Sequence, residues 1–243
     1  MKKVIKTFIP IIFLVMMMII ICIGRFKPIP KEIEVYEPNH IVWIDEWLEN
    51  PVCKPPCLDN IIPGISTSSE VEEKLLTHPG VFKLSRDSSN YYTESIYWHI
   101  PECEGVELGE VLLEKETKIV KKIIIRNHIC KAKIPLEIFI NTFGEPDYIY
   151  PIRDLNSINS KCSLADLFYL DSGMRVLLES PNLSKEDTIQ ISSSSLIYRI
   201  ILFEPQKDLE TTLDYQTQIF IPLDAEVFQV SPWNGFTEYR CND

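Results

Sequence analysis

The order of helix and strand signals along this sequence predicts an α+β fold: two tandem helix-plus-antiparallel-sheet repeats behind an N-terminal hydrophobic helix. Three observations lead there. Amphipathic helix signals are few, strand signals follow one another directly, and the order helix-then-strands occurs twice, its helix starts at Thr67 and Pro135 lying about 70 residues apart. Strands in succession pair antiparallel, whereas a parallel sheet needs a crossover, usually a helix, between them. The chain accordingly divides into residues 1–24 (a signal anchor or signal peptide), 25–62 (a tether), 63–127 (first repeat), 128–204 (second repeat) and 205–243 (a C-terminal extension).

The first segment begins Met-Lys-Lys-Val-Ile-Lys and continues from Phe8 to Gly24 without a charge. As a helix this run would extend about 26 Å at roughly 1.5 Å per residue, close to the lower limit for spanning a bilayer. A basic start followed by an apolar run is the export pattern. The first reading is an uncleaved anchor through residues 8–24, placing a single-pass protein in the cell membrane with its globular part outside the cytoplasm. The alternatives are secretion after cleavage near Gly24, where Cys22 and Gly24 stand at the small-residue positions, and lipidation of Cys22. Lys2, Lys3 and Lys6 face Arg25, Lys27 and Lys31 across the run, so the positive-inside rule decides little about orientation.

Residues 25–62 open with a Pro-rich, charged stretch and then a short helix over His40–Asn50, with Ile41, Ile44 and Leu48 on one face. Trp43 and Trp47 either touch a membrane interface or dock on the domain. The sharpest local feature follows, Cys53-Lys54-Pro55-Pro56-Cys57. Three intervening residues, two of them Pro, do not suit a redox Cys-x-x-Cys, which needs two residues and a helix N-terminus to lower the thiol pKa. Beyond the apolar segment six cysteines remain: Cys53, Cys57, Cys103, Cys130, Cys162 and Cys241. Behind an export signal they read as structural disulfides, with fifteen pairings open. Zinc would need a second close pair of ligands, and the last four are scattered singly.

The first repeat starts at Pro63-Gly64-Ile65-Ser66-Thr67. Thr67 and Glu70 have capping-box spacing, Val71, Leu75 and Leu76 form an apolar stripe, and His78-Pro79-Gly80 ends the helix. Strands are read at Val81–Ser85, Ser95–Ile100, Val106–Leu113 and Lys118–Arg126, the last with Ile119, Ile123 and Ile125 on one side. In the second repeat Pro135 suits the first helical position, and Leu136, Phe139, Ile140 and Phe143 share a face. Gly144 stands where a left-handed cap belongs, with Pro146 beyond. Strands follow near Asp147–Tyr150, Leu164–Leu170, Met174–Glu179 and Leu196–Phe203. Asp171-Ser172-Gly173 fits a three-residue hairpin loop. The acidic extension ends near Cys241, which suggests a stapled end.

Several of these residues together resemble a set of uncharacterised exported bacterial proteins with a CxPPC…PG(V/I)(T/S)T…FGEPD pattern. They are Cys53 to Cys57, Ile62-Pro63-Gly64-Ile65-Ser66-Thr67, and Phe143-Gly144-Glu145-Pro146-Asp147-Tyr148, and the resemblance covers roughly residues 50–205. More distantly each repeat is similar to the helix-plus-sheet unit of the SmpA/OmlA (BamE) lipoproteins and the β-lactamase inhibitor protein. Gly64-Ile65-Ser66 stands where those proteins have a Gly-Met-Thr lead-in, and Gly144-Glu145-Pro146 where they have a Gly-x-Pro exit. The resemblance implies a binding or scaffolding module of the cell envelope.

Composition narrows the function classes. The 243 residues carry a formal net charge of −11, with 24 Lys and Arg against 35 Asp and Glu. Setting aside Lys2, Lys3 and Lys6 leaves 21 basic side chains against 35 acidic, a net of −14. That surface repels phosphate backbones, so a nucleic-acid partner is not expected. Of His40, His78, His99 and His128 none lies within four residues of another, and no Gly-x-Ser-x-Gly elbow, Walker loop or Gly-x-Gly-x-x-Gly occurs. Glu102, Glu104, Glu107 and Glu110 cluster around Cys103 but lack a calcium-loop pattern and read as a solvated face. No catalytic residue, metal ligand or cofactor is therefore expected. Tyr91, Tyr92, Trp98 and Trp233 are the candidate contact residues, since Tyr and Trp are common interface anchors. The expectation is a non-catalytic protein-binding or scaffolding module whose partner is another envelope protein. The alternative is an envelope hydrolase assembled from dispersed residues around His99.

Overall fold

A computed structural model describes residues 42–49, 52–78, 81–100, 107–127, 134–153, 162–179, 187–206, 208 and 230–241. They fall within one unit, Pro38–Asp243. Three short helices occur among them: α1 (Val42–Glu49), α2 (Ser68–Thr77) and α3 (Leu136–Phe143). The strands are β1 (Lys83–Asp87), β2 (Thr93–His99), β3 (Glu107–Glu114), β4 (Val120–Ile125), β5 (Ile134–Pro135) and β6 (Tyr148–Arg153). They continue with β7 (Cys162–Tyr169), β8 (Met174–Glu179), β9 (Thr188–Gln190), β10 (Leu196–Phe203), β11 (Ser231–Pro232) and β12 (Glu238–Arg240).

Ten strands join one antiparallel sheet in the order β1-β2-β3-β4-β10-β8-β7-β6-β11, with β5 also on β10. β12 and β9 form a separate ribbon. This corrects the expected α+β fold of two tandem helix-and-sheet repeats: the described residues are mostly antiparallel sheet, with 47% strand against 16% helix. The physical reason lies in β4 and β10. Ile123, Ile124 and Ile125 are at most 1% exposed, and Ile200 to Phe203 at most 3%, so each strand buries both of its faces. A strand greasy on both sides belongs in the middle of a sheet, not at the edge where a repeat would end. The two pair directly, Ile200 with Ile125 and Leu202 with Ile123, and fuse the halves into one sheet.

Individual elements follow their local signals. At the start of α2 the Thr67 N–H donates to Glu70 Oε2 at 2.7 Å, the expected capping-box bond. Val71 and Leu75 of that helix are buried. Pro135 caps α3 from outside rather than opening it, and Gly144 closes it at φ 88°. The β7–β8 hairpin turns through Gly173 at φ 55°, where a side chain would meet the Phe203 carbonyl at 2.2 Å. In α1, Ile44, Trp47 and Leu48 are buried, and Trp47 lies 5.0 Å from the Phe143 ring of α3. Trp47 therefore docks on the domain; the side chain of Trp43 lies outside the described residues.

The expected location is corrected as well. Among the described residues no helix is long and apolar enough to cross a membrane, so the expected single-pass location has no span there. The longest, α2, has ten residues and extends only about 15 Å, half the hydrocarbon thickness. Residues 8–24, on which the span was read, lie outside the described residues.

All three helices cover the same sheet face. Ile44, Val71, Leu75, Leu136 and Phe139 join one core cluster with Ile96, Trp98, Val111, Ile123, Ile125, Ile200, Leu202, Val176 and Leu167. The opposite face carries a second, smaller cluster made of strand residues alone, Leu112, Ile124, Ile201 and Phe203.

Candidate functional site

Cross-strand partners in an antiparallel sheet point to one face, so the register reads out what stands on the side opposite the described helices. One row runs Tyr97, Glu110, Ile124, Ile201, Arg175, Phe168, Tyr148. The row beside it runs Arg199, Leu177, Asp166, Tyr150, with Arg126 one residue past the Ile125–Ile200 pair and so flanking Arg199. Guanidinium groups from three adjacent strands, at the end of β4, on β10 and on β8, thus share one face, close enough for Arg126 and Arg175 to act on Arg199.

Two of the three are paired. Arg126 donates through Nη2 to Glu110, which also accepts a 2.7 Å hydrogen bond from Ser95 Oγ. Arg175 donates through Nη2 to Asp166, a carboxylate only 1% exposed. Arg199 makes no ion pair with any described residue. Its Nε is buried without a hydrogen-bond partner, as are Nη1 of Arg126 and Nε of Arg175. Leaving such donors unmade costs about 1–3 kcal/mol each.

The electrostatics agree with the geometry. Burial, then Arg126, then Arg175 hold the Arg199 guanidinium below its ordinary pKa. Lys122, entirely buried beside this row, is lowered to about 7, mainly by burial and secondarily by Arg175. Burial works against the charge on Arg175, but Asp166 outweighs it and leaves that group above its usual value. Burial and the Asp166 charge raise the Tyr150 hydroxyl.

The second feature is the β1–β2 hairpin tip. Tyr91 and Tyr92 are 81% and 76% exposed, edge to face with ring centroids 4.9 Å apart. The loop under them is tied down. Asp87 accepts from the Ser89 N–H at 2.8 Å and the Ser89 hydroxyl at 3.0 Å, and Asn90 Oδ1 accepts from the Tyr92 N–H at 2.9 Å. Lys115 Nζ reaches the Asn90 carbonyl at 3.0 Å, and its backbone N–H reaches the Tyr92 carbonyl at 3.1 Å. The Ser89 bonds hold the Asp87 carboxyl below its usual pKa.

The other sequence candidates separate. Trp98 is fully buried, its ring lying where a Gly109 side chain would stand, since an added Cβ would come within 1.9 Å of Cζ2. It is a core residue and not a contact residue. Trp233 is half-buried and stacks on Tyr239 at 5.9 Å, in a turn pinned by the Tyr239 hydroxyl, which donates to the Gly235 carbonyl at 2.9 Å. His99 is 7% exposed with Nε2 3.3 Å from Ser85 Oγ, longer than an activated nucleophile–base contact of about 2.6–3.2 Å. Glu110, read as a solvated carboxylate, is buried. Among the described residues no group of three His, Cys, Asp or Glu is placed to hold a metal ion.

Cys53 pairs with Cys57 and Cys162 with Cys241; Cys103 and Cys130 lie outside the described residues. The arginine row was missed in the sequence because a charge in a strand reads as a solvent face. Its signal is Arg199 standing in Leu196–Phe203, a strand otherwise apolar or aromatic. No family model, curated protein or solved structure matches the chain.

Proposed function

We propose that this chain is a non-catalytic protein-binding module that seats its partner on the β1–β2 hairpin tip. The supporting observation is that two adjacent tyrosines are held in water by a loop hydrogen-bonded beneath them. Exposing rings of that size wins nothing for the fold. Fixing them in advance lowers the entropy lost on binding, which is how aromatic anchors act in interfaces. The disulfides are compatible with work in an oxidising compartment. The partner expected from the sequence is another envelope protein.

The test places a photo-crosslinking residue at Phe82, 69% exposed at the foot of β1, and compares the wild-type tip with a Tyr91→Ala, Tyr92→Ala double variant in native host cells. One stoichiometric adduct should form with the wild type, and the double variant should lose it with at least about a tenfold fall in partner affinity. The same adduct yield from both proteins would overturn the reading.

A further inference from the structure

We propose that β1, the outermost strand of the sheet, pairs antiparallel with β1 of a second copy of this chain about a two-fold axis at Ser85. This goes beyond the hairpin-tip reading and uses the strand rather than the tyrosines, so either can fail alone. A crosslink from Phe82 to a second copy has twice the mass of the chain, which tells it from the adduct expected at the tip.

β1 stands at the end of the strand order and pairs with β2 on one side only. Phe82 at its foot is 69% exposed, and Lys83, Arg86 and Asp87 are exposed with it. On the side away from β2, no backbone group of Lys83 to Asp87 bonds to another described residue. Such an edge turns a row of N–H and C=O groups outwards, a template for a further strand.

The occupant follows from the strand itself, Lys83-Leu84-Ser85-Arg86-Asp87. Turned end for end about Ser85, it sets Lys83 against the second copy's Asp87, and Asp87 against the second copy's Lys83. Opposite charges directly across an antiparallel pair attract, and like charges repel. Asp87 stays ionised there, because the Ser89 bonds hold its carboxyl below the usual range. On the other face Leu84 meets the second copy's Arg86, whose charge Glu72 and Glu94 already hold. No other register joins Lys83 to Asp87, and one of the two single-residue slips sets Lys83 against Arg86. The same patch serves both copies, so the contact closes at two. The far edge of the sheet, β11, has only two residues, one of them Pro232, and offers little to extend from. Five paired residues make a contact smaller than the roughly 1,200–2,000 Å² of stable complexes, so the dimer is weak and reversible.

Sedimentation equilibrium on the full, disulfide-intact chain reads the association, and charge reversal assigns it to β1, since contacts made elsewhere are common to all variants. The wild type should show monomer and dimer in exchange. Lys83→Asp sets Asp against Asp, and Asp87→Lys sets Lys against Lys. Each, folded by circular dichroism, should weaken dimerisation about tenfold or more. An equimolar mixture of the two restores both opposite-charge pairs and should return the affinity to within about threefold of the wild type. Should either variant not fold, amide hydrogen exchange of the wild type replaces the series, and β1 should exchange more slowly as the protein concentration rises. A monomer at every concentration, single variants that associate as the wild type does, a mixture no tighter than the single variants, or β1 exchange independent of concentration would each overturn the proposal.

Discussion

Lys122 sets the terms at the scale of a single residue. It is entirely buried, and its pKa falls from 10.5 to about 7, first through burial and then through Arg175. Below about pH 7 both folded and unfolded chains carry the proton, and the folded one bears the cost of holding that charge away from water. As pH rises from about 7 towards 10.5 the folded chain sheds the proton first, so unfolding becomes harder through that window. Lys122→Met removes the buried charge at little change in volume. It should raise the unfolding free energy by on the order of 3 kcal/mol at pH 6, with the gain shrinking by about pH 9.5. Urea denaturation at the two pH values reads it; an equal difference at both would show that Lys122 does not titrate in the fold. A residue of this kind is invisible to composition, because Lys121 and Lys122 look alike and only the pleat separates them. Trp98 was misread and Arg199 passed over for the same cause. Whether a strand residue faces water depends on what lies opposite, and for Trp98 that is Gly109.

Between elements, the contact of α2 with the sheet edge is made by charge as well as by Val71 and Leu75. Arg86 of β1 donates to Glu72 at 2.6 Å, to Glu94 of β2 at 2.8 Å and to Ser68 at 3.1 Å, and Lys118 also meets Glu94. Lys118 first, with Arg86 behind it, holds the Glu94 carboxyl below the usual carboxylate range. A lowered carboxylate stabilises the fold above the unfolded pKa, and that contribution is lost as pH falls through the folded one. Glu94→Gln should therefore cost about 1–3 kcal/mol at neutral pH and converge with the wild type in acid, measured by thermal unfolding against pH. A gap of constant size would make packing, not charge, its source. The ends of α2 were legible because their causes are local: Thr67 and Glu70 are three residues apart, and His78-Pro79 cannot extend the helix. The neighbour of β4 was not legible. Its partner β10 begins 71 residues after β4 ends, and periodicity says which face a residue takes without saying which strand lies alongside. Only the isoleucines on both faces of Lys118–Arg126 hinted that the strand belongs in the centre.

For the molecule as a whole the question is what a long chain of antiparallel strands gains from its cross-links. Cys162 opens β7 inside the sheet, and Cys241 follows β12, so their bond fixes the C-terminal ribbon to the core across 79 residues. Cys53–Cys57 closes only four. In the chain-entropy account the stabilisation grows with the logarithm of the loop, about 4.5 kcal/mol for the long closure against about 2 kcal/mol for the short one. The long bond has a second consequence, because Tyr239 of the ribbon it secures stacks on Trp233, which follows β11. Cys162→Ala with Cys241→Ala should therefore lower the unfolding free energy about twice as much as Cys53→Ala with Cys57→Ala. It should also weaken the near-ultraviolet circular dichroism of the aromatic residues, which the short-loop variant leaves intact. Peptide mapping without reductant should find both linkages in protein taken from its native host. Equal losses from the two double variants would mean that the folded ribbon is held by its β9 pairing and aromatic stack, and that the 79-residue closure adds nothing of its own.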